Sequence, residues 1–523
     1  MKKFLSVVLC LAMLMSFAVP ALATDESVLP TIYLSGKANE ALYKADGTLC
    51  FNPNNLDRGG YIKDAAGPVL EKLGKALVSG DYSAYVKSLV DATAPIYEDL
   101  DLDSDGNASN GTHIKWNCET VGIDKEAKTF HFKYDWRLSP MEIADQLDIY
   151  IERVIAATGA SGVNIHCRCL GVNMAMTYVA KSYRGDYGHD FRVKNIMLNT
   201  GGLAGYITLG SLLSGSLELN ADTVDRFVSD FLSGGALIED PAIAMFAYTL
   251  VSLFNYAEVL DLGVDFVQDI IDKISDELIS PLALCCYGGY PSYWSMVSEK
   301  FYDKAINKVF NTPELKEEYK LFIEKTDAYH ALLGETSAET GRPLHEDLLL
   351  KLKAEGVGIA VVAKYGAPCV PLFADSEITG DVRGTVTELS FGAVGTEIGK
   401  TFEEDYLKAA QAKGTEKYIS PDKTVDASTA LFPDTTWFIK NIAHDQFPAF
   451  FNTLFEEFCR NDGKMTVFDN AKYPQYFDYV NGTVVIDEAA EGDEDFAWTN
   501  DPIRLLIRFL TGLISLIARL FNR

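Results

Sequence analysis

The chain has 523 residues and a formal net charge of −28 at pH 7. An acidic field of this strength repels nucleic acid, so we expect no nucleic-acid partner. The length suits one large domain with insertions or two domains. A chain of this length is not a small domain held together by disulfides, and its nine cysteines do not occur at zinc-binding spacings. The length therefore predicts a large core; we also expect no metal and no organic cofactor, because the chemistry considered below needs none.

Residues 1–23 have the features of a secretory signal peptide. Two lysines precede an apolar run, and the run ends in Ala21, Leu22 and Ala23 before the polar sequence "TDES". This end predicts cleavage after Ala23 and a secreted, extracellular mature protein. The alternative is a membrane anchor, which needs a longer apolar run without a cleavage site.

Short apolar or β-branched runs alternate with helical patterns along the rest of the chain. This alternation predicts an α/β fold, in which a mostly parallel central sheet is flanked by crossover helices. The predicted strands are Thr31–Gly36, Thr129–Trp136, Gly162–Cys167, Val193–Asn199, Gly358–Gly366 and Thr436–His444. The predicted helices are Pro140–Ala157, Leu170–Ser182 and one that follows Asp445.

One interval, residues 203–355, carries almost no strand signal. It separates two predicted core segments, 24–202 and 356–485, and includes an apolar run from Pro241 that is too short to span a membrane. An insertion of this length between core strands predicts a helical cap over the site, because ligand sites favour such interfaces. The alternative is a second helical domain that only packs against the core.

The composition changes abruptly near the C-terminal end. An acidic linker, residues 486–502, precedes a segment, 503–523, that is rich in Leu, Ile and Phe. Its polar residues recur at helical spacing on one narrow face: Arg504, Arg508, Thr511, Ser515 and Asn522. Such a cationic amphipathic helix predicts contact with an anionic membrane surface. The alternative is a helix docked on its own domain.

The stretch "VNIHCRCLGVNMAMTYV" (163–179) has the pattern of a buried strand that leads into an amphipathic helix through a tight turn. Many hydrolases place a nucleophilic serine there, in the middle of a Gly-x-Ser-x-Gly motif. Here the middle residue is Cys169, Gly171 is the second glycine, and Cys167 replaces the first. A thiolate can replace the serine, and the backbone N–H of Leu170 would then stabilise the oxyanion.

Two other interpretations of Cys169 stay open at this stage. The strand-to-helix turn could belong to a hydrolase fold that has lost catalytic activity, or Cys169 could be an ordinary buried thiol. Cys167 is predicted to pack in the core, and a disulfide between these two cysteines would have poor geometry.

An acid and a histidine flank the last predicted strand. The order nucleophile, acid, histidine is typical of this class of hydrolase. We assign His444 as the base that takes the thiol proton and Asp422 as the carboxylate that orients it. Asp381, in "TGDVRGTV", is an open alternative because it also follows a core strand and precedes a valine. Asp426 is a weaker rival with the pattern of a solvated residue.

These segments together resemble the lecithin:cholesterol acyltransferase family and its bacterial lipase-like relatives. The matching pieces occur in the family's order between Thr31 and Pro448: "YDWRLSP" from Tyr134, "CLG" ending at Gly171, "YPSYWSMV" from Tyr290, "PDKTVDAST" from Pro421 and "HDQFP" from His444. The departures from the family's pattern are Cys169 in place of serine, Cys167 in place of glycine, and Arg168 where histidine is common.

The resemblance implies an α/β-hydrolase fold and an acyl hydrolase or acyltransferase that acts on an ester, with lipid esters included. It also implies that the backbone of Lys37, after Gly36, is a second oxyanion donor and that Trp136 lies near an acyl pocket. The competing interpretation is a catalytically inactive hydrolase fold that serves as an extracellular binding or membrane-surface protein.

The segment Asp101–Thr112 begins like a calcium-binding loop. Asp101, Asp103, Asp105 and Gly106 stand at the expected offsets, but the twelfth position is Thr112 rather than glutamate. The alternative is an ordinary surface loop of Asp, Asn and Gly residues.

Overall fold

The computed structural model describes residues 29–36, 40–52, 58–219, 263–367, 369, 373 and 375–487. The predicted signal peptide, most of the acidic linker and the predicted C-terminal helix lie outside these residues and stay predictions. Among the described helices, none combines the length and the apolar character that a membrane crossing needs.

The described strands, numbered along the chain, are β1 Thr31–Leu34, β2 Leu42–Tyr43, β3 Leu49–Phe51, β4 Thr129–Phe132, β5 Val163–Arg168, β6 Val193–Asn199, β7 Gly358–Tyr365, β8 Val394–Gly395, β9 Val425–Asp426, β10 Thr436–Lys440, β11 Tyr476–Val480 and β12 Thr483–Ile486. The central sheet has eight strands in the order β12-β11-β10-β7-β6-β5-β1-β4. Its neighbouring strands run parallel, except that β11 and β12 pair antiparallel. Two short antiparallel pairs, β2 with β3 and β8 with β9, lie outside this sheet.

The sheet confirms the prediction of an α/β fold, and each predicted strand occurs in it. The predicted strand Thr436–His444 ends earlier, at Lys440, which leaves His444 in the following loop. Strands β11 and β12 were not predicted, because β12 is largely exposed and carries no alternating buried face. The short pairs outside the sheet gave no signal either, since two or three residues are too few to show a period.

The described α-helices, numbered along the chain, are α1 Arg58–Ser79, α2 Ser83–Tyr97, α3 Pro140–Thr158, α4 Leu170–Arg184, α5 Ile207–Ser214, α6 Gly263–Leu284, α7 Pro291–Trp294, α8 Glu299–Val309, α9 Pro313–Glu318, α10 Lys320–Tyr329, α11 Leu344–Ala354, α12 Val386–Leu389, α13 Glu404–Lys413 and α14 Phe450–Arg460. Single turns of 3₁₀ helix occur at Glu98–Leu100, Tyr287–Gly289, Glu416–Tyr418, Ala427–Thr429 and Pro433–Thr435, and a π-helical turn at His330–Gly334.

The two crossover helices next to the site end close to where the sequence predicts. Helix α3 begins with Pro140 after the capping side chain of Ser139 and ends at Gly159, which adopts the left-handed conformation. Helix α4 ends at Arg184, two residues beyond the predicted end at Ser182, and is capped in the same way by Gly185. Helix α3 buries one apolar face in the same hydrophobic cluster as the sheet, whereas α4 is buried on all sides from Leu170 to Ala180.

A second hydrophobic cluster lies apart from the core around the sheet. It joins α1 and α2 to α5, α6 and α8, through side chains such as Tyr85, Leu89, Ile271, Ile274 and Phe301. Residues 58–97 therefore pack with the interval that was predicted as a cap, although they precede it by more than a hundred residues. At the other end of that interval, Leu349 and Leu352 of α11 lie in the main core.

The candidate site residues lie where parallel strands end. Cys169 follows β5, Asp381 lies in the turns after β7, and His444 follows β10. The carboxyl ends of parallel strands meet at one edge of the sheet, which is where ligand sites form in such folds. The register of β1 against β5 pairs Leu34 with Cys167, so the loop after β1 passes beside Cys169.

Candidate active site

Cys169 occupies a strained turn between β5 and α4. Its backbone has φ 50° and ψ −132°, a conformation that costs about 1–3 kcal/mol in a residue with a side chain. Two glycines make the turn possible. A Cβ on Gly171 would fall 2.4 Å from the carbonyl oxygen of Ser35, and one on Gly36 would fall 3.0 Å from Sγ of Cys169. This is the geometry that exposes a nucleophile at a strand-to-helix corner.

His444 and Asp381 form a buried pair next to this turn. Nδ1 of His444 lies 2.6 Å from Oδ2 of Asp381, and the side chains are 2% and 0% exposed. The backbone N–H of His444 also donates to the carbonyl oxygen of Asp381 at 3.1 Å. The other carboxylate oxygen accepts from the backbone N–H groups of Arg383 and Gly384 at 3.2 and 3.1 Å. Asp381 is therefore fixed in place and in turn fixes the imidazole ring.

The remaining ring nitrogen of His444, Nε2, is the one available to Cys169. Nε2 is buried and has no hydrogen bond of standard geometry. In enzymes without bound substrate, catalytic hydrogen bonds are often long or poorly aligned. The two side chains nevertheless interact strongly through charge.

The charges favour a thiolate facing an imidazolium. Burial alone would raise the pKa of the Cys169 thiol, but the charge of His444, with a smaller effect of Arg383, lowers it to about 6. Burial opposes the charged form of His444, but the charges of Asp381 and Cys169 raise its pKa to about 9. Burial also opposes ionisation of Asp381, and the charge of His444 lowers the pKa of that carboxyl below its usual value. These charges favour the thiolate form of Cys169, the form in which a cysteine acts as a nucleophile.

Cys167, two residues earlier, has the opposite environment. Its thiol is fully buried and contacts the backbone carbonyl oxygen of Met197 at 3.3 Å. Burial raises the pKa of this thiol far above its usual value. The sequence-based interpretation of Cys167 as a packing residue agrees with this environment. None of the eight described cysteines is in a disulfide, so none joins Cys167 to Cys169.

The structure corrects the assignment of Asp422 as the partner of His444. The carboxylate of Asp422 accepts hydrogen bonds from the hydroxyls of Ser420 and Thr424 at 2.6 and 2.8 Å. Its other oxygen lies 3.0 Å from Nζ of Lys440. The physical reason is position: Asp422 lies in the turn before β9 and pairs with the end of β10, whereas His444 lies in the loop beyond that strand.

Asp426 is likewise not a partner of His444, and it is buried rather than solvated. One carboxylate oxygen accepts from the backbone N–H of Ser428 at 2.9 Å, and the other accepts from the hydroxyl of Tyr406 at 2.8 Å. Its side chain is 3% exposed. Asp426 therefore caps a turn instead of orienting a base.

Three residues around the site were not singled out from the sequence. Lys364 on β7 is fully buried and donates to the loop that carries His444. The guanidinium of Arg383 lies 3.3 Å from the carboxylate of Asp445. The ring of Tyr206 meets the ring of His444 edge to face at 5.5 Å. Lys364 was detectable, since a lysine inside an apolar strand pattern needs an explanation.

Of the two predicted oxyanion donors, the structure describes Leu170 but not Lys37. Leu170 is the first residue of α4, so its backbone N–H is one of those that have no acceptor within the helix. Such N–H groups attract negative charge at a helix N-terminus. Lys37 lies outside the described residues, and its assignment stays a prediction.

An apolar cavity of about 140 Å³ opens at Cys169. It lies between α5 and α6, and its walls are chiefly leucine and isoleucine, among them Leu209, Leu213, Ile271, Ile274, Leu278 and Leu282. Tyr206, Tyr293 and Arg383 lie among the polar residues that line it. The nucleophile candidate is thus exposed to an apolar chamber rather than to bulk water.

Trp136 lies one side chain away from this cavity. Its ring contacts Tyr290 and Tyr293 with centroid distances of 5.6 and 6.5 Å, and Tyr293 lines the cavity. The segment from Tyr290 is also hydrogen-bonded to the backbone of Trp136, because the hydroxyl of Ser292 donates to the carbonyl oxygen of Trp136 at 2.5 Å. Trp136 therefore supports the cavity wall from behind.

The segment Asp101–Thr112 is organised by protein groups. The carboxylate of Asp103 accepts from the backbone N–H groups of Asp105 and Asn107 at 3.1 and 2.8 Å. The buried guanidinium of Arg137 donates to the hydroxyl of Thr112 at 2.9 Å and is neutralised by Asp135 at 2.6 Å. Within the described part of the chain, no cluster of three or more His, Cys, Asp or Glu side chains could hold a metal ion.

Comparison with models of known protein families finds no match, and comparison with curated proteins finds none either. Among solved structures, the Tle4–Tli4 complex aligns with a TM-score of 0.19 and 14% identity, covering 35% of this chain and 48% of that one, so the chain spans about half of its length. Kex1(delta)p, a prohormone-processing carboxypeptidase from Saccharomyces cerevisiae, aligns with a TM-score of 0.22 and 11% identity, covering 66% of each chain. Likenesses this slight carry no functional argument.

The topology itself defines the class of protein. The central sheet has eight strands, is parallel except at one edge and is flanked by helices. One strand leads through a sharp turn into a helix. This is the α/β-hydrolase fold.

Proposed function

We propose that this chain is an acyl hydrolase or acyltransferase in which Cys169 is the nucleophile, His444 the general acid and base, and Asp381 the residue that orients His444. One observation carries the proposal: Cys169 stands on a strained turn beside a buried His444–Asp381 pair that favours its thiolate. Asp381 takes the role that the sequence suggested for Asp422.

In the first half of the reaction, the thiolate of Cys169 attacks the acyl carbon of an ester. A carbon–sulfur bond forms, and the carbonyl electrons move to oxygen, where the N–H of Leu170 stabilises the negative charge. When this intermediate collapses, the bond to the leaving alcohol breaks. The imidazolium of His444 gives its proton to that alcohol, and a thioester remains on Cys169.

In the second half, the now neutral His444 removes a proton from an acceptor. Water as acceptor attacks the thioester carbon and releases the acid, whereas an alcohol as acceptor forms a new ester. Collapse of the second intermediate breaks the carbon–sulfur bond and restores the thiolate and the imidazolium. Asp381 stays ionised throughout and stabilises the charged ring.

The cavity beside Cys169 supports a substrate with an apolar acyl chain, as in lipid esters. Its wall follows one face of α6 from Ile271 to Leu282, which corresponds to about 16 Å at 1.5 Å per residue. Apart from Cys169 itself, Arg383 is the one ionisable Asp, Glu, Lys, Arg or His side chain among the described residues that line it. An extended acyl chain fits such a chamber better than a peptide or a sugar does.

Two further parts of the proposal, the protein family and the cellular location, rest on the sequence. The resemblance to lecithin:cholesterol acyltransferase and to lipase-like relatives favours lipid esters. The predicted signal peptide favours secretion, and the predicted helix 503–523 favours contact with an anionic membrane surface. Flotation with anionic liposomes, with and without residues 503–523, tests that contact; equal flotation of both forms would remove it from the proposal.

The chemical proposal is tested with activated esters of increasing acyl length. Product release and the intact mass of the reduced protein are followed together, so that both turnover and a trapped acyl adduct are detected. Cys169→Ala should abolish both signals. Cys167→Ala is the matched control, because that thiol lies two residues away, is inert and should be dispensable for turnover.

Absence of turnover and of any adduct on folded protein would contradict the proposal. It would favour the alternative, a hydrolase fold that binds ligands without chemistry. An adduct that persists in Cys169→Ala would place the reaction on another residue and would also contradict the proposal.

A further inference from the structure

A lysine lies under the site where the fold would be expected to bury an apolar residue. Lys364 is on β7, in the run "GIAVVAKYG", and its side chain is 0% exposed. Side chains alternate along a strand, so Lys364 is on the same face as Ala360 and Val362. Those two residues pack in an apolar cluster with α14. Burying an ammonium group there is costly unless it is fully hydrogen-bonded.

The ammonium group is fully hydrogen-bonded, and each of its hydrogen bonds is to one short loop. Nζ of Lys364 donates to the backbone carbonyl oxygens of Ala443, His444 and Gln446 at 3.1, 2.7 and 2.6 Å. An ammonium has three donors, so the loop takes all of them. The ring of Phe447, also in this loop, lies 3.8 Å from Nζ and adds a cation–π contact.

The backbone of this loop is irregular, and the loop is also joined to the Asp381 turn through His444 and Asp445. Residues 441–449 form neither helix nor strand, so the carbonyl oxygens within it have no regular partners. Buried carbonyl groups need donors, and Lys364 supplies one on each side of His444. We infer that Lys364 is a positioning residue, which fixes the backbone of His444 so that its ring can contact both Asp381 and Cys169. The inference rests on the proposed function, since it concerns the same site.

The surrounding charges are consistent with this role. Burial lowers the pKa of Lys364 to about 7, whereas the carboxylates of Asp381 and Asp445 favour its charged form. Cys169 also favours the charged lysine, and Arg168 opposes it. Lys364 thus faces the same groups that set the charge of the nucleophile, and its removal would both loosen the loop and take away a positive charge.

Lys364→Met tests the inference, because methionine has a similar length and shape but donates no hydrogen bond. We expect kcat for an activated ester to fall roughly 10²-fold, as is typical when a reacting group is displaced by about 1 Å. KM should stay close to the wild-type value, since Lys364 does not line the cavity. The pH at which Cys169 becomes half-reactive toward iodoacetamide should move upward, because the imidazolium is no longer held against the sulfur.

Two further variants make the test specific. Lys364→Gln keeps an amide donor and should give an intermediate loss. Lys440→Met is the matched control, since Lys440 ends the neighbouring strand β10 and pairs with Asp422 rather than with the His444 loop. It should leave both kcat and the alkylation profile near those of the wild type.

The alkylation profile separates this inference from the proposed function, because it needs no turnover. An upward shift in Lys364→Met, absent in Lys440→Met, supports the positioning role even if the wild type hydrolyses no ester. An unchanged profile in the folded fraction of Lys364→Met overturns the inference, whether or not activity falls with the yield of folded protein. Equal shifts in both lysine variants overturn it as well.

Discussion

Two turns of this protein have similar sequences, but their aspartates bind different partners. The turn after β7 contains "GDVRGTV" and the turn that leads into β9 contains "PDKTV", each an acid followed within a few residues by a valine. Asp381 of the first turn is fully buried against His444. Asp422 of the second is paired with Lys440 and with two hydroxyl groups.

The difference shows that proximity along the chain is a poor guide to the partner of a histidine. Asp422 is closer to His444 in sequence, but the strand β10 lies between them and carries His444 past the sheet edge. Asp381 is 63 residues away from His444 in sequence, and its turn meets the histidine loop through both a side-chain and a backbone contact. Either acid fits the order nucleophile, acid, histidine, so only the fold distinguishes them.

Among the variants that test this comparison, Asp381→Asn should have the largest effect on kcat. The amide cannot stabilise the imidazolium and favours the wrong tautomer, so we expect kcat to fall on the order of 10³-fold or more. Steady-state kinetics with an activated ester measures this loss. Circular dichroism should show that the variant is folded, and wild-type kcat in folded Asp381→Asn would contradict the role of Asp381.

Asp422→Asn should affect stability instead of catalysis. It leaves Lys440 without its carboxylate, and we expect a loss of about 1–3 kcal/mol in the free energy of unfolding. Urea unfolding measures this loss, and kcat should remain within about threefold of the wild type. A loss of kcat comparable to that of Asp381→Asn would reverse the assignment of the two turns.

Much of the fold could be predicted from the sequence, because the central strands β5, β7 and β10 carry buried, largely apolar runs and β1 and β4 alternate buried with less buried residues. The tight turn at Cys169 was also predictable, since Gly171 and the strand-to-helix pattern are local features. The choice of acid was not local, and neither were the contacts of Lys364, which are with a loop about eighty residues further along the chain. The packing of residues 58–97 against α5, α6 and α8 is equally long-range.

Arg383 and Asp445 offer a finer test, because they form an ion pair between the Asp381 turn and the His444 loop. The charge of Arg383 lowers the pKa of Cys169, and the charge of Asp445 raises it. Arg383→Gln should therefore move the alkylation midpoint of Cys169 upward and Asp445→Asn should move it downward. Each shift should be about 0.2–0.7 pH unit, the equivalent of 0.2–1 kcal/mol for a partly exposed pair. Shifts of the same sign in both variants would show that loop disorder, not charge, is being measured.

The most direct test of the central claim is the pH dependence of Cys169 alkylation in the wild-type protein. The reduced protein is treated with iodoacetamide across pH 4 to 10, and the label on each cysteine is read by peptide mass. Because His444 stabilises the thiolate, Cys169 should become half-reactive near pH 6, while the buried thiol of Cys167 stays unlabelled. If Cys169 reacts only near the pKa of about 8.5 of an ordinary thiol, or no faster than Cys167, the claim of an activated Cys169–His444–Asp381 site is wrong.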